Sequence, residues 1–513
     1  MNFNKNMTRI VFAAVTIIIL LQSSLNAQSL LFDKEGFFNS IFMQKYKINS
    51  YYTGNNPAFL DEELSDQRLL VETAFENRHG DFRPFIMPED QSEFQMSFTG
   101  KKQVSENGIF KGSAGYKYEI RNNWDWIASK NYERAKPFLF GDSTSGSTRY
   151  NSILLNAQYS TLLPKDIRFG LSLDYAVDDG LKKVTPKPAS KHRDIMLNIG
   201  LGYDLSPADA VGVTLKYYDR SDEIEYDKDE SSVYDEIKVL KFTGYDYPMV
   251  YCKQTEERLS FTNGYLSSVD FHHESESFIA AASFTAGFDK QVVKDDKDEH
   301  DPQGFSKCNY VYGEANLLYR LSNPLTVMFK YQYDYTEIWA KYADYNVLIM
   351  EEETPSHFFN FGLEYAANVS LSLGIEAGIR LHDYDMNDYY SAITASSEGK
   401  EYLAKIGLEY TWNEFISTTC GFAYNKNDLS KRVLEYGDMG SIFLNFSIKD
   451  ILYKITPYSS YAGYIKNNFN IKGIGEITFN IIYSQADPED EAAFEGFDKK
   501  NINAWIQFRT QVY

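Results

Sequence analysis

The chain has 513 residues, with 51 Lys and Arg against 72 Asp and Glu and a formal net charge of −21 at pH 7. That balance excludes a nucleic-acid binder, whose phosphate contacts demand a surplus of Lys and Arg. Aromatic residues make up 16% of the chain at a mean hydropathy of −0.42. Amphipathic rings are thus abundant, and beyond the N-terminus no run of about 18 apolar residues is long enough for a transmembrane helix.

At the N-terminus Lys5 and Arg9 precede an apolar run at residues 10–21, followed by Q-S-S-L-N-A-Q. The run is too short to cross a bilayer as a helix and has the length of a signal-peptide core. Residues 1–27 therefore read as a signal peptide cleaved after Ala27, with Leu25 at the −3 position. No Cys follows the apolar run, so no lipid anchor is expected. Residues 28–66 lack sustained alternation; Phe37, Phe38, Ile41, Phe42 and Met43 predict a short helix ahead of Y-Y-T-G-N-N-P-A-F-L at 51–60. This N-terminal segment is expected to lie in the periplasm or to plug a barrel formed by the rest of the chain.

From residue 67 onward the chain alternates. Successive Cβ atoms of a strand point to opposite faces, so a sustained period of two gives one apolar and one polar face. Phe110, Gly112, Ala114, Tyr116, Tyr118 and Ile120 come after a Ser105-Glu106-Asn107-Gly108 turn, whose Asn-Gly step suits the positive φ angles of a tight hairpin. Ile153 to Tyr159 pairs with Ile167 to Val177, a strand carrying Leu171 and Leu173, and Ile195 to Leu205 pairs with Val211 to Tyr217. The clearest hairpin spans residues 311–336. Leu325, Val327, Phe329, Tyr331, Tyr333 and Tyr335 share one face there, and Lys330, Gln332 and Asp334 share the other. Residues 325–336 rise roughly 36 Å, or about 26 Å at a tilt of about 45°, which matches the ~25 Å apolar band of an outer-membrane barrel. Beyond it Phe359 to Tyr365 pairs with Val369 to Leu381, a strand carrying Leu373 and Ile375, and Tyr402 to Trp412 pairs with Ile416 to Tyr424.

Short turns alternate with long, mostly acidic connections at 121–148, 178–193, 219–258, 289–307, 336–355, 383–400, 425–438 and 485–500. That asymmetry is the pattern of a barrel with one periplasmic and one outer rim. The predicted fold is all-β, a transmembrane antiparallel up-and-down β-barrel of about 18 strands occupying residues 67–513, with a range of about 16 to 20. The range reflects two stretches, 259–276 and 450–470, that do not divide cleanly into strands. An unpaired backbone edge in hydrocarbon is costly, so the final stretch, with Ile502, Ala504, Ile506, Phe508, Thr510 and Val512 on one face, must close the barrel. Its terminal Tyr513 falls on the opposite face from Phe508.

Closure turns the polar face inward. Lys117, Glu119, Lys330, Gln332, Glu364, Glu376, Arg380, Lys405 and Glu409 are expected to line the lumen, either as a wet channel or as ion pairs filling the bore. Leu325, Val327, Phe329, Leu171, Leu173, Leu373 and Ile375 are expected to face lipid. The acidic runs at 227–230 and 295–301 offer hard oxygen ligands, Asp295, Asp296 and Asp298 among them, without the glycine and terminal Glu of an EF-hand loop. His272 and His273 are adjacent and so point to opposite sides of a strand, a poor start for a zinc site. His382 beside Asp383 is the best single catalytic candidate, but no nucleophile motif accompanies it, and the chain is read as a non-enzyme with no cofactor. Cys252, Cys308 and Cys420 form no paired framework.

The signal peptide, N-N-P-A-F-L at 55–60, F-R-P-F-I-M-P at 82–88 and the strands after them resemble a family of outer-membrane barrels of unknown function from Bacteroidota-type bacteria. The Asn56-Pro57-Ala58 step is also similar to one near the start of long-chain fatty-acid transporter barrels. The resemblance implies location and fold and assigns no substrate. The expected function is a pore or transporter for a small solute. The alternatives are a closed structural or partner-docking surface barrel and, more distantly, a barrel-embedded hydrolase. Expected partners are outer-membrane lipid, the barrel-assembly machinery and a protein docked at the loops or the N-terminal segment.

Overall fold

Strand by strand, the alternating stretches pair in chain order. The computed structural model describes residues 56–512 apart from 64–67, 81–82, 84–86, 125–126, 131–135, 227–238, 246–248, 252–255, 296–301, 439–447 and 490–499. A 3-10 helix (Pro57–Glu63) precedes β1 (Arg68–Gly80), β2 (Asp90–Ser105), β3 (Gly108–Asn122), β4 (Phe140–Asp142), β5 (Thr148–Leu163), β6 (Ile167–Lys182), β7 (Ala189–Asp204) and β8 (Asp209–Tyr226). Then come β9 (Val239–Lys241), β10 (Met249–Tyr251), β11 (Glu256–Glu274), β12 (Phe278–Lys294), β13 (Gly304–Ser322), β14 (Leu325–Tyr342) and β15 (Val347–Ala366). The chain ends with β16 (Leu371–Asp388), β17 (Ile393–Asn413), β18 (Ile416–Glu435), helix α1 (Ile448–Ile455), β19 (Tyr458–Ile471), β20 (Gly475–Pro488) and β21 (Lys500–Val512).

An 18-stranded antiparallel sheet contains every long strand, each paired with its neighbours in sequence, while β4, β9 and β10 form a separate three-stranded sheet. Closure is made by β21 on β1, in register from Leu69↔Val512 to Gly80↔Asn501. No edge among these 18 strands is left open. None of the described helices is long and apolar enough to cross a membrane; this chain crosses with strands.

The outer surface carries exposed apolar side chains all the way round: Phe75, Leu155, Leu171, Leu173, Leu201, Leu215, Val269, Phe284, Phe329, Phe361, Leu373, Ile375, Ile406, Phe422, Ile481 and Ile506 are all exposed. Leu325 and Val327 lie on the same outer face of β14, half-buried. Such a belt on a closed barrel is stable in hydrocarbon and nowhere else, because the backbone groups are satisfied within the sheet and the apolar rings need a non-aqueous neighbour.

On the long-loop side the outer face changes character. It passes from Tyr335 to Glu337 on β14, from Phe359 to Glu353 and Glu351 on β15, from Leu381 to Asp383 and Asp385 on β16, and from Tyr402 to Lys400 and Glu398 on β17. These strands continue past the apolar belt, and four expected loops are mostly strand. The chain at 336–355 turns only at 343–346, that at 383–400 only at 389–392, 178–193 only at 183–188, and 425–438 is strand to Glu435. The physical reason is that strands outside the bilayer have no apolar outer face to betray them. Residues 450–470 resolve into helix α1 and the single strand β19, and 259–276 falls almost wholly within the single strand β11. Val369, expected in a strand, stands fully exposed in the turn between β15 and β16. The signal peptide, the short helix at 37–43 and Tyr513 lie outside the described residues.

Candidate functional site

Within the barrel the described residues form three layers: a docked N-terminal segment near the short-turn rim, a charged wall, and a lid at the other mouth.

The docked segment is Asn56 with the 3-10 helix behind it. Asn56 folds back on itself, its Oδ1 accepting from the Ala58 N–H at 3.0 Å and its carbonyl from the Phe59 N–H at 3.2 Å. Its Nδ2 donates to the carbonyls of Leu201 at 3.1 Å and Val213 at 3.3 Å on β7 and β8, and Ser160 on β5 donates to the Ala58 carbonyl at 2.8 Å. Asn56, Ala58, Phe59 and Leu60 are all completely buried. Glycines make this approach possible. A Cβ at Gly170 would stand 2.1 Å from the Pro57 carbonyl carbon, and one at Gly200 would stand 1.9 Å from Asn56 Oδ1. Gly202 and Gly212 leave room for the Phe59 ring in the same way, with the Arg168 guanidinium 5.5 Å from that ring's centre. Four glycines on three adjacent strands thus form a cradle for one short segment.

The wall holds its charges in pairs. Lys405 lies opposite Glu376 in register, with Nζ 3.7 Å from Oε2, and Asn360 also donates to Glu376. Arg380 lies opposite Glu401, 3.9 Å away, and Glu401 accepts from Asn425 at 2.6 Å and from the Tyr458 hydroxyl at 3.2 Å. Lys330 sits 3.6 Å from Glu314, and Gln332 donates to Asp334 at 3.0 Å. Lys117 bridges Glu93 at 2.7 Å and Glu119 at 3.5 Å, and Arg121 reaches Glu119 at 2.6 Å. Glu364 is buried on the inner face of β15, and Glu409 is half-buried on β17 among inward positions. Of the residues singled out from sequence, the fold joins Glu376 to Lys405 and Lys117 to Glu119. Gln332 meets Asp334, its neighbour on the same face of β14, while the other pairings use Glu93, Glu314 and Glu401, which only the pairing of adjacent strands reveals. A buried charge is tolerable only with its partner and hydrogen bonds in place, so these pairs fix the wall as much as they line it.

The lid is built from the long connections that fold into the mouth. Phe138, Tyr245, Ile451 and Ile455 pack against Val293, Ala340, Met350, Tyr384, Met386, Ile393 and Ala395 of the inner wall. Arg258 of β11 anchors it. Its Nη1 donates to the carbonyls of Phe138, Leu139 and Phe242 at 3.0–3.1 Å, while Nε and Nη2 grip Asp295 at 2.7 and 3.2 Å. Lys136 pairs with Asp450 of α1 at 2.7 Å, both buried, and Lys182 pairs with Asp142 of β4 at 2.8 Å. Asp142 also accepts from the Tyr226 hydroxyl at 2.8 Å. At the strand end beside the lid, burial pushes the Asp388 carboxyl up, opposed by backbone N–H groups of Ser391, Tyr245 and Tyr390 that hydrogen-bond it.

Asp295, the described member of the acidic run at 295–301, is engaged by Arg258 and lies 3.8 Å from Lys241; Asp296, Asp298 and the run at 227–230 lie outside the described residues. Among the described residues, two other groups have three potential ligand atoms within 4.8 Å of one another, His79, Glu89 and Asp90 on one rim position and Glu223, Glu225 and Glu257 on another. His382 points inward and meets Asn427 at 2.9 Å. His272 is buried inward while His273 meets Asp209 at 2.8 Å. Cys308 is buried and Cys420 half-buried; Cys252 lies outside the described residues. Arg258, Lys136 and the glycine cradle escaped sequence reading; the only sequence signal for any of them is N-N-P-A-F-L itself.

The model of a family of unknown function, DUF6850, matches residues 57–512. A search of curated proteins finds no match. Among solved structures the chain is similar to the copper transporter OprC, with 7% identity, 87% of this chain and 82% of that chain covered and a TM-score of 0.43. It is similar also to the ferric citrate transporter FecA in its unliganded form, with 9% identity, 87% and 79% covered and a TM-score of 0.45. OccAB3 of Acinetobacter baumannii gives 8% identity, 88% and 100% covered and a TM-score of 0.41. Likeness at this level says nothing of a shared cargo.

Proposed function

The chain belongs to the DUF6850 family, and we propose that it is an outer-membrane barrel that conducts a small polar solute when its lid opens. Residues 1–27 direct its export, and the barrel-assembly machinery inserts it. The observation that carries the reading is the lid itself: the mouth holds folded-in connections tied to the wall by Arg258, by the Lys136–Asp450 and Lys182–Asp142 pairs and by apolar packing. Behind it lies a wall of paired charges such as Glu376–Lys405 and Arg380–Glu401, a polar lining of little use to a mere anchor.

Arg258→Ala removes the guanidinium shared by the Phe138, Leu139 and Phe242 carbonyls and by Asp295, although the Leu139 carbonyl keeps the Phe242 N–H; a buried group left without a partner costs about 1–3 kcal/mol. In planar bilayers the wild type should be mostly closed and Arg258→Ala should open far more often. Silence from both would sink the conduction reading. A closed barrel that docks a partner protein at its long loops is the second reading, favoured by the burial of the lid. It is supported if both proteins stay silent and crosslinking in intact membranes recovers a partner. Since Asn56-Pro57-Ala58 is similar to a step in fatty-acid transporter barrels, a long-chain acid belongs in the flux assay beside polar solutes.

A further inference from the structure

Beside the docked Asn56, the inner wall carries a patch of buried oxygens that stands apart from its ion pairs. Thr214 of β8 lies opposite Ser268 of β11, and Asp270, two residues further on the same face, lies opposite Ser283 of β12 and Gly212 of β8. All four side chains are at most 5% exposed. Among the described residues, the hydroxyls of Thr214, Ser268 and Ser283 and both carboxylate oxygens of Asp270 lack any hydrogen-bond partner. Ser283 and Asn56 flank the Asp270 carboxylate without donating to it in ordinary hydrogen-bond geometry. The charged neighbour is Lys216, two residues along β8 from Thr214; it faces both Asp270 and Asp174, so its charge is divided.

An ionised carboxylate buried with neither oxygen satisfied is among the most costly arrangements a protein interior offers. Elsewhere on this wall Glu119, Glu376 and Glu401 each have a basic and an amide or second basic partner. Here the neighbours are hydroxyls, which bring lone pairs as well as protons. The set contains no nitrogen or sulfur ligand, which argues against a transition metal. One carboxylate with a lysine nearby is too little charge for calcium, whose sites gather several carboxylates and carbonyls. An acceptor-only carboxylate repels an anion.

We propose that Thr214, Ser268, Asp270 and Ser283 bind one monovalent alkali cation on the inner wall, and that the docked Asn56 closes one side of the site. The site requires no transport and stands whether or not the barrel conducts. Bound cation would tie the N-terminal segment to the wall, since Gly212, opposite Asp270, is one of the glycines that seat Asn56.

The test uses the full chain folded in detergent micelles, titrated with NaCl or KCl against choline chloride at constant ionic strength. Sodium-23 line broadening and the thermal midpoint are followed together. Saturable broadening and a rising midpoint with one alkali cation are expected. Asp270→Asn, of the same shape, should weaken binding by at least what losing an outer-shell partner costs a metal site, roughly 10–100-fold. Thr214→Val should also weaken it and serves if the first variant does not fold. Indifference of the wild type to alkali cations would overturn the proposal, leaving water or a proton on Asp270. So would variants that bind as the wild type does.

Discussion

Two stretches of the same strands obey opposite rules. In the lower part of β14 to β17 the outer face is apolar, with Phe329, Phe361, Ile375 and Ile406 exposed, while the inner face holds Lys330, Asn360, Glu376 and Lys405. In the upper part the outer face carries Glu337, Glu353, Asp385 and Glu398, and the inner face holds Ala340, Met350, Met386 and Ala395 around the lid. Apart from irregularities at Ile349–Met350 of β15 and at Glu398–Gly399 of β17, the backbone alternation runs through; what changes is the solvent. Below, hydrocarbon lies outside and polar groups must find one another within. Above, water lies outside, and the apolar side chains bury themselves against Phe138, Tyr245 and α1 as in a soluble protein. A barrel strand is thus one periodic element written in two codes.

The strongest way to break this comparison is to attack the upper core at its buried ion pair. Lys136→Ala leaves Asp450 of α1 charged without the lysine 2.7 Å away, and breaking a buried pair on one side costs about 3–5 kcal/mol. Limited proteolysis should release the lid while the strands of the belt stay intact. If belt and lid unfold together, the two parts are one cooperative unit and the division fails. Next in size is Phe329→Arg, placed on the outer face of the belt, which should cost about 2–4 kcal/mol of folding into lipid. Gln332→Arg, three residues on but turned inward beside Asp334, should be tolerated. Equal losses in urea titrations into bilayers would mean that the faces are reversed.

Much of the lower part was legible because one environment acts on one face. Leu325, Val327 and Phe329, or Leu371, Leu373 and Ile375, repeat at a spacing of two, with Lys330 or Glu376 following on the opposite face, and closure follows from the cost of an open edge. The upper part reads as loops in the sequence because its outer face is acidic and its inner face mixes small and large residues. Ile393 and Ala395 do not look like a strand beside Thr394 and Ser396. Helix α1 was hidden for another reason: its buried Ile451 and Ile455 occupy one turn of a helix of eight residues, too short a stretch for periodicity to declare itself. The lid lay out of reach, since its contacts join residues as far apart as Lys136 and Asp450, separated by 314 positions. The charged wall was legible residue by residue but not pair by pair, because pairing depends on register. The Asn56 dock was visible as a motif, and its cradle of glycines on β6, β7 and β8 was not.

The smallest expected effect gives the finest test of where one code gives way to the other. Glu353 is exposed on the outer face of β15, in register with Glu337 on one side and Asp385 on the other. Three carboxylates side by side across adjacent strands repel, and opposite charges in such positions are worth about 0.2–1 kcal/mol. If this level stands in water, Glu353→Lys should leave stability unchanged or raise it by that amount, and the gain should shrink as salt screens it. If the bilayer reached as high as Glu353, the new lysine would meet lipid and the sign would invert, with a loss approaching that of Phe329→Arg. Urea titration of Glu353→Lys at low and high salt therefore locates the upper edge of the belt between Phe359 and Glu353, on a single strand and a single face.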